Sequence, residues 1–330
     1  MTMKKRSLKT LLCTLLGSSV MVAGFAAYAQ SASNYPQEPV KFVVPYPAGG
    51  VSDVSSRTIA AALGKKLGAN MVIENKAGAA STVASTYVAS QKPNGYTLYA
   101  APVSIVINPA LQGTVSYKPY ESFTPLSMMM SSAFVLQVNK SLPVNNVKEL
   151  IDLIKKNPDK YAIGTSGVGS INHLAAEYFI REFGLKMVVA HYKGGMPAAQ
   201  DLLGGQVQMM FSAANEAIPF VTSDKTKGLA VTSLERISTL PNLPTMNEAA
   251  GVKNFEATFW LALVAPAGMD KALQMRISTA MRELGKDEEL RQRLNQLGID
   301  LVTSTPEVVT ANLKSDEEKW TTLIRSIKIN

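Results

Sequence analysis

Short apolar runs alternate along this chain with longer segments whose apolar residues recur every three or four positions. That is the pattern of strands alternating with amphipathic helices. Val40 to Val44 reads as a strand and Asp53 to Leu67 as a helix, with Ile59, Ala62, Leu63 and Leu67 on one face. Met71 to Glu74 is a second strand, and Ser81 to Ser90 a second helix after the Gly78-Ala79-Ala80 turn. Asn94-Gly95 signals a turn before a third strand, Tyr96 to Ala100. These strands are apolar on both faces, which implies a parallel sheet covered by helices on either side.

The rhythm pauses around Ser127 to Met130 and then resumes. Strands are expected at Phe134 to Val138, Tyr161 to Gly164, Met187 to His191, Val207 to Phe211 and Gly228 to Thr232. Helices are expected between them at Asn146 to Lys156, Ser170 to Phe183, Pro197 to Leu203 and Glu216 to Thr222. A proline-rich connection, Leu240 to Pro244, leads to the apolar run Phe255 to Val264. The end is helical, at Lys271 to Gly285, Glu288 to Leu297 and Pro306 to Ile327. Two strand–helix series in tandem, with a terminal segment that must pack somewhere, are most simply satisfied if that segment rejoins the first series. The expected division is 30–130 together with 254–330 as lobe 1, and 131–253 as lobe 2. Two crossings between lobes form a hinge, and a cleft between lobes is a common place for a ligand.

Length agrees with this, since 330 residues suit two domains better than one. The first thirty residues stand apart from the fold. Lys4, Lys5, Arg6 and Lys9 precede the apolar stretch Leu11 to Phe25, and Ala27-Tyr28-Ala29 offers a small-x-small cleavage site. This is the pattern of a secretory signal peptide over residues 1–29, with Gln30 as the first mature residue. Cys13 lies within the apolar stretch, which argues against a lipid-anchor site. Removing the signal takes away the sole cysteine and lowers the formal net charge from +8 to +4. Thiol chemistry, disulfides and cysteine-ligated metals are then excluded from the mature chain. Its Lys and Arg are interleaved with acids rather than gathered on one face, unlike a nucleic-acid binder. No later segment is long and apolar enough to span a membrane, so an exported, soluble protein is expected.

The candidate chemistry sits in two glycine-rich turns. In Val43 to Arg57, VVPYPAGGVSDVSSR, a strand ends at Pro45 and Pro47, Gly49 and Gly50 follow, and a helix begins near Ser52 and Asp53. Such a turn either makes a tight strand-to-helix connection with Asp53 as N-cap, or gathers free amides at the positive end of a helix to hold an anion. Tyr161 to Glu177, YAIGTSGVGSINHLAAE, repeats the same logic with Ser170 as N-cap. Enzyme motifs fail there one residue at a time. A phosphate-binding loop lacks its lysine after Gly169, a dinucleotide fingerprint has Asn172 in place of its third glycine, and a nucleophile elbow on Ser166 has Val168 in place of glycine. The two histidines, His173 and His191, lack further partners at zinc-ligand spacing, and no metal or cofactor is expected. Lys193 either pairs with an anion or is simply solvated. Met128 to Met130, Met209 and Met210 read as core or lobe-interface filler.

Taken in order, PYPAGGVSDVSSR, ENKAGAAS, GYTL, the NPAL segment at Asn108, GTSGVGSINHLAAE, HYKGGMPAAQDLLGGQVQMMF, LAVTSLERISTLPNLPTMNEAAG, and Trp260 with Ala265-Pro266-Ala267-Gly268 closely resemble the Bug-type periplasmic solute-binding receptors of tripartite tricarboxylate transporters. The resemblance runs over nearly the whole mature chain. It implies an α/β, type II periplasmic binding protein fold, with two α/β lobes, a hinge and an interlobe cleft that closes on a small carboxylate. It also implies a monomeric receptor in the periplasm, without enzymatic activity, whose partners are the ligand and the membrane permease subunits. Ligand-binding positions carried over from the family are Tyr46, Ala48, Gly49 and Asp53 on one lobe and Thr165, Ser166 and Ser170 on the other. Ser81, Ser104, Lys193 and Asn215 are further liners. Two departures bear on which ligand fits: Trp260-Leu261-Ala262 stands where the family has Trp-x-Gly, and SAANEAIPF after Phe211 is individual to this chain. The competing readings are a secreted serine hydrolase using Ser166 or Ser170 with His173, and a sensory ligand-binding subunit.

Overall fold

The computed structural model describes residues 35–327; the expected signal peptide lies outside them. The first series runs β1 (Val40–Val44), α1 (Val51–Leu67), β2 (Met71–Asn75), a 3-10 turn (Ala79–Ser81), α2 (Thr82–Ala89), β3 (Thr97–Pro102) and α3 (Ser104–Gln112). Successive residues of β1 enter opposite layers, as the two-residue side-chain period requires. Val40, Phe42 and Val44 join Ile59 and Leu63 of α1, whereas Val43 joins a second core with Ala84 and Val88 of α2. Burying a side chain such as Phe42 contributes about 1.5–3 kcal/mol, and the entirely buried Ile59 and Leu63 add similar amounts. β1 pairs in parallel with β2 and β3.

The pause expected at Ser127 to Met130 is not a break. A single strand of 17 residues, β4 (Phe123–Asn139), runs through it. Its register shifts between Pro125 and Ser127 and again between Met128 and Met130. Such bulges disturb the alternation by which a strand is read from sequence, and proline favours them because it cannot donate to the ladder. Met129 and Met130 are core residues of the first sheet.

The second series follows: α4 (Val147–Lys156), β5 (Ala162–Thr165), α5 (Ile171–Glu182), β6 (Val188–His191), α6 (Gly195–Gly204), β7 (Met209–Ala213), α7 (Ala214–Thr222), β8 (Thr226–Val231) and α8 (Met246–Ala250). The chain then returns through β9 (Thr258–Pro266), α9 (Lys271–Leu284), α10 (Glu288–Asn295), β10 (Asp300–Leu301) and α11 (Pro306–Ser326). Strand order is β2-β1-β3-β9-β4-β7-β5-β6, with β8 and β10 also on β4. The N-terminal part of β4 pairs with β9 and the C-terminal part with β7 and β8, all antiparallel. The terminal segment thus rejoins the first series: β9 lies between β3 and β4, and α9 and α10 cover the same face as α1. The chain crosses between the two halves of the sheet inside β4 and again just before β9, where Ala133 faces Thr258.

Candidate functional site

A helix that follows a parallel strand starts at that strand's C-terminal end. Through β9 and β4 the strands of the two halves run in opposite directions, so the turns after β1 and β3 face those after β5 and β6 and the β7–α7 junction across the crossings. In the first turn, α1 begins at Val51 with Gly50 at the N-cap, and Asp53 is the third helical residue rather than the cap itself. From there its carboxylate reaches back. Oδ2 accepts the Gly49 amide at 3.0 Å and Arg57 Nε at 2.9 Å, and Oδ1 accepts Asn75 Nδ2 at 2.9 Å. Asn75 Nδ2 also donates to the Tyr46 carbonyl at 3.0 Å. Gly49 adopts φ +88°, a left-handed conformation that a side chain would strain. Burial alone would raise the Asp53 carboxyl, but donation from Arg57, the Gly49 amide and Asn75 outweighs it and holds the group below the usual carboxylate range. Tyr46 is pushed above its ordinary value by burial, partly offset by a hydrogen bond with Ser104. Ser104 Oγ lies 2.7 Å from Ser81 Oγ.

Asn172 organises the second turn. Its Oδ1 accepts the Ser166 amide at 3.1 Å and the Ser166 hydroxyl at 2.7 Å, and lies 2.6 Å from Ser170 Oγ. Its Nδ2 donates to the Phe211 carbonyl at 3.2 Å, tying the turn to β7. Ser170 Oγ donates to the Gly167 carbonyl at 2.6 Å and accepts the His173 amide at 3.3 Å, the bond expected of an N-cap. His173 Nδ1 accepts the Gly169 amide at 3.0 Å, which places the ring proton of the neutral form on Nε2, facing Glu177 at 3.5 Å. The second imidazole, His191, packs edge-on against His173 and its Nδ1 lies 2.8 Å from Thr165 Oγ1. Burial and the neighbouring His173 lower the His191 pKa. Neither Ser166 nor Ser170 meets an imidazole, so neither hydroxyl has the general base that nucleophilic catalysis needs.

Between these turns lies a cavity of about 570 Å³. Tyr46, Ala48, Gly50 and Ser52 line it from the first turn and Ser104 from the start of α3. Ser166, Ser170 and Asn172 line it from the second, with Gly194 and Gly195 at the start of α6 and Glu216 of α7. Of the expected residues, Tyr46, Ala48, Ser104, Ser166 and Ser170 are on this wall. Gly49, Asp53, Ser81 and Thr165 are not, and the last three are buried, Asp53 being committed to the loop. Lys193 is exposed outside the cavity, and Asn215 lies off its wall with Oδ1 buried and without a hydrogen-bond partner. Sequence reasoning missed Asn172 and Glu216. The signal for Asn172 was there, as the residue that spoiled the dinucleotide fingerprint. Among the described residues no group of three or more His, Cys, Asp or Glu is placed to hold a metal.

Residues 55–329 match the family model described as the tripartite tricarboxylate transporter family receptor. The chain belongs to this family. It is a solute-binding receptor rather than an enzyme, and its fold is the α/β periplasmic binding protein fold of the solved Bug-type receptors. The periplasmic binding protein BugD is 34% identical with a TM-score of 0.77, over 90% of this chain and 99% of BugD. The R. palustris protein Rpa4515, solved with adipate, is 29% identical with a TM-score of 0.80, over 90% and 99%. MatC from Rhodopseudomonas palustris, with bound malate, is 28% identical with a TM-score of 0.75, over 88% and 100%. Among the described residues, no helix of the receptor is long and apolar enough to cross a membrane.

Proposed function

We propose that this receptor captures a small organic carboxylate in the cavity between Tyr46–Ser52 and Ser166–Asn172 and delivers it to the membrane subunits of a tripartite transporter. The observation that carries this reading is the convergence of helix N-termini from both halves of the sheet, α1 on one side and α5 on the other, upon one cavity. First-turn amides have no acceptor within their own helix and carry the positive end of the helix dipole, so each favours an anion. The Ser104, Ser166 and Ser170 hydroxyls lie on the same wall; those of Ser166 and Ser170 donate to Asn172 Oδ1 and the Gly167 carbonyl in this structure and turn to the ligand when it binds. The relatives Rpa4515 and MatC hold adipate and malate, both carboxylates.

In this reading 30–130 with 254–330 and 131–253 are two lobes that turn about the paired crossings at β4 and Ala257-Thr258. A ligand bridging the turns favours the closed arrangement, which the permease recognises. Gly49, Asp53, Ser81 and Thr165 shape the turns from behind, and Lys193 and Asn215 join the site on closure. Residues 1–29 direct export and are removed, and the receptor acts as a monomer in the periplasm.

The test is calorimetry and thermal shift of the mature protein against mono-, di- and aminocarboxylates, with the matching amides as controls. Carboxylates should bind and amides should not. At a hundredfold excess over Kd, a ligand bound only by the folded state adds about 2.7 kcal/mol of stability. Ser170→Ala should weaken binding roughly fivefold, the worth of about one hydrogen bond. Failure of every carboxylate to bind overturns the reading.

A further inference from the structure

Glu216 is at odds with the rest of the cavity wall. It is the only charged side chain lining the cavity among the described residues, and it sits on a surface otherwise made of amides, hydroxyls and apolar groups. It stands in the first turn of α7, within the SAANEAIPF segment. Among the described residues its carboxylate has no hydrogen bond and no ion pair, and burial raises its pKa with no donor to oppose the shift. The carboxylate lies against Gly195 at the start of α6, where an added Cβ would collide with both of its oxygens. Gly195 therefore makes room for it. A carboxylate serving only its own helix dipole would do so equally well in solvent. Placed on a cavity wall without a partner, it repels a second negative group and attracts a cation.

We propose that Glu216 is a specificity residue that selects amino carboxylates over dicarboxylates. The ligand carboxylate meets the amides and hydroxyls of the two glycine-rich turns, and its ammonium group pairs with Glu216 and satisfies it. This rests on the carboxylate capture proposed above and adds the chemistry of the ligand's other end. Closure of the cavity removes more water from Glu216, which strengthens its pairing with an ammonium and its repulsion of a second carboxylate alike.

Three probes of one chain length separate the possibilities: δ-aminovalerate, glutarate and valerate, titrated by calorimetry into the mature protein. The wild type should bind δ-aminovalerate at least about tenfold more tightly than glutarate, within the range of close charge pairs. Glu216→Gln keeps the shape and removes the charge. It should bring that ratio to within about threefold, while valerate affinity changes less than about twofold. Gly195→Ala, which displaces the carboxylate without removing it, should lower the ratio as well, and the melting temperature of each variant shows that it is folded. A wild type that prefers glutarate, or a ratio unchanged in Glu216→Gln, overturns the proposal. If valerate binds and Ser170→Ala weakens it while the ratio ignores Glu216, carboxylate capture stands and this inference alone falls. If none of the three probes binds while another carboxylate of the wider screen does, this inference falls and carboxylate capture stands.

Discussion

Asp53 shows how a single carboxylate holds a cavity-lining loop without touching the cavity. Its side chain is 4% exposed and collects the Gly49 amide, Arg57 and Asn75, so the turn from Tyr46 to Gly50 is fixed from behind. Asp53→Ala would remove the acceptor of the Gly49 amide and of Arg57, and leave Asn75 Nδ2 with the Tyr46 carbonyl alone. At the usual net worth of such hydrogen bonds, a loss of about 1–3 kcal/mol in urea unfolding is expected. Because the folded pKa is depressed, the stabilisation is present above the unfolded value of about 4 and fades as pH falls through the lower folded value. The difference between wild type and Asp53→Asn should therefore shrink below about pH 4, and a difference that stays constant from neutral pH into that range would refute the assignment. From sequence, Asp53 was legible as a residue of the helix start but not as the anchor of the preceding loop, because that role depends on Asn75, a residue on the neighbouring strand. Asn172 was obscured for a related reason. It showed only as the residue that breaks the dinucleotide fingerprint, whereas its role is that of the acceptor around which Ser166 and Ser170 are arranged.

At the level of elements, the strands and helices of both series follow from the alternation of apolar positions, and what escaped has identifiable causes. Only Phe134 to Val138 of β4 was read as a strand, because the bulges before it break the two-residue period. α3 was passed over because Pro109 lies inside it, where proline removes one helical hydrogen bond and crowds the preceding turn. β10 is two residues long, and no pattern marks so short a strand. The crossings between the halves are joined through one side chain that no pattern marks either. Thr232 is fully buried just after β8, where its Oγ1 accepts the Phe134 amide at 2.9 Å and donates to the Ala257 carbonyl at 2.6 Å. Thr232→Val preserves the shape but leaves that amide and that carbonyl unpaired. A cost of about 2–4 kcal/mol is expected. Hydrogen exchange at the Phe134 amide should accelerate by more than at the amides of β1, which lie in a separate part of the sheet. Equal changes at both sites would mean a general loss of stability rather than loosened crossings.

For the molecule as a whole, the question is whether ligand capture turns one half of the sheet against the other, and the chain carries its own reporter. It has two tryptophans. Neither lines the 570 Å³ cavity. Trp260 in β9 and Trp320 in α11 both donate to Asp316, at 2.6 and 3.1 Å, beside the crossings. There a separate polar pocket of about 250 Å³ brings together β4, β9, Glu256 and α11. Lys319 donates to the Glu256 carbonyl and lies 4.7 Å from the Trp320 ring centroid, so a cation and a carboxylate flank these indoles. Burial raises the Asp316 pKa, against the two indole donors and Lys319, and burial lowers that of Lys319. Indole emission responds to the field of such neighbours, and rotation about the crossings would move Glu256, in the linker entering β9, relative to α11. Saturating ligand should therefore change tryptophan emission even though no tryptophan can touch it. Trp320→Phe should remove part of that change while leaving Kd within about twofold, since the residue is outside the cavity. If calorimetry shows saturation and wild-type emission does not move, the halves do not turn at the crossings, and capture proceeds by adjustment of the two glycine-rich turns alone.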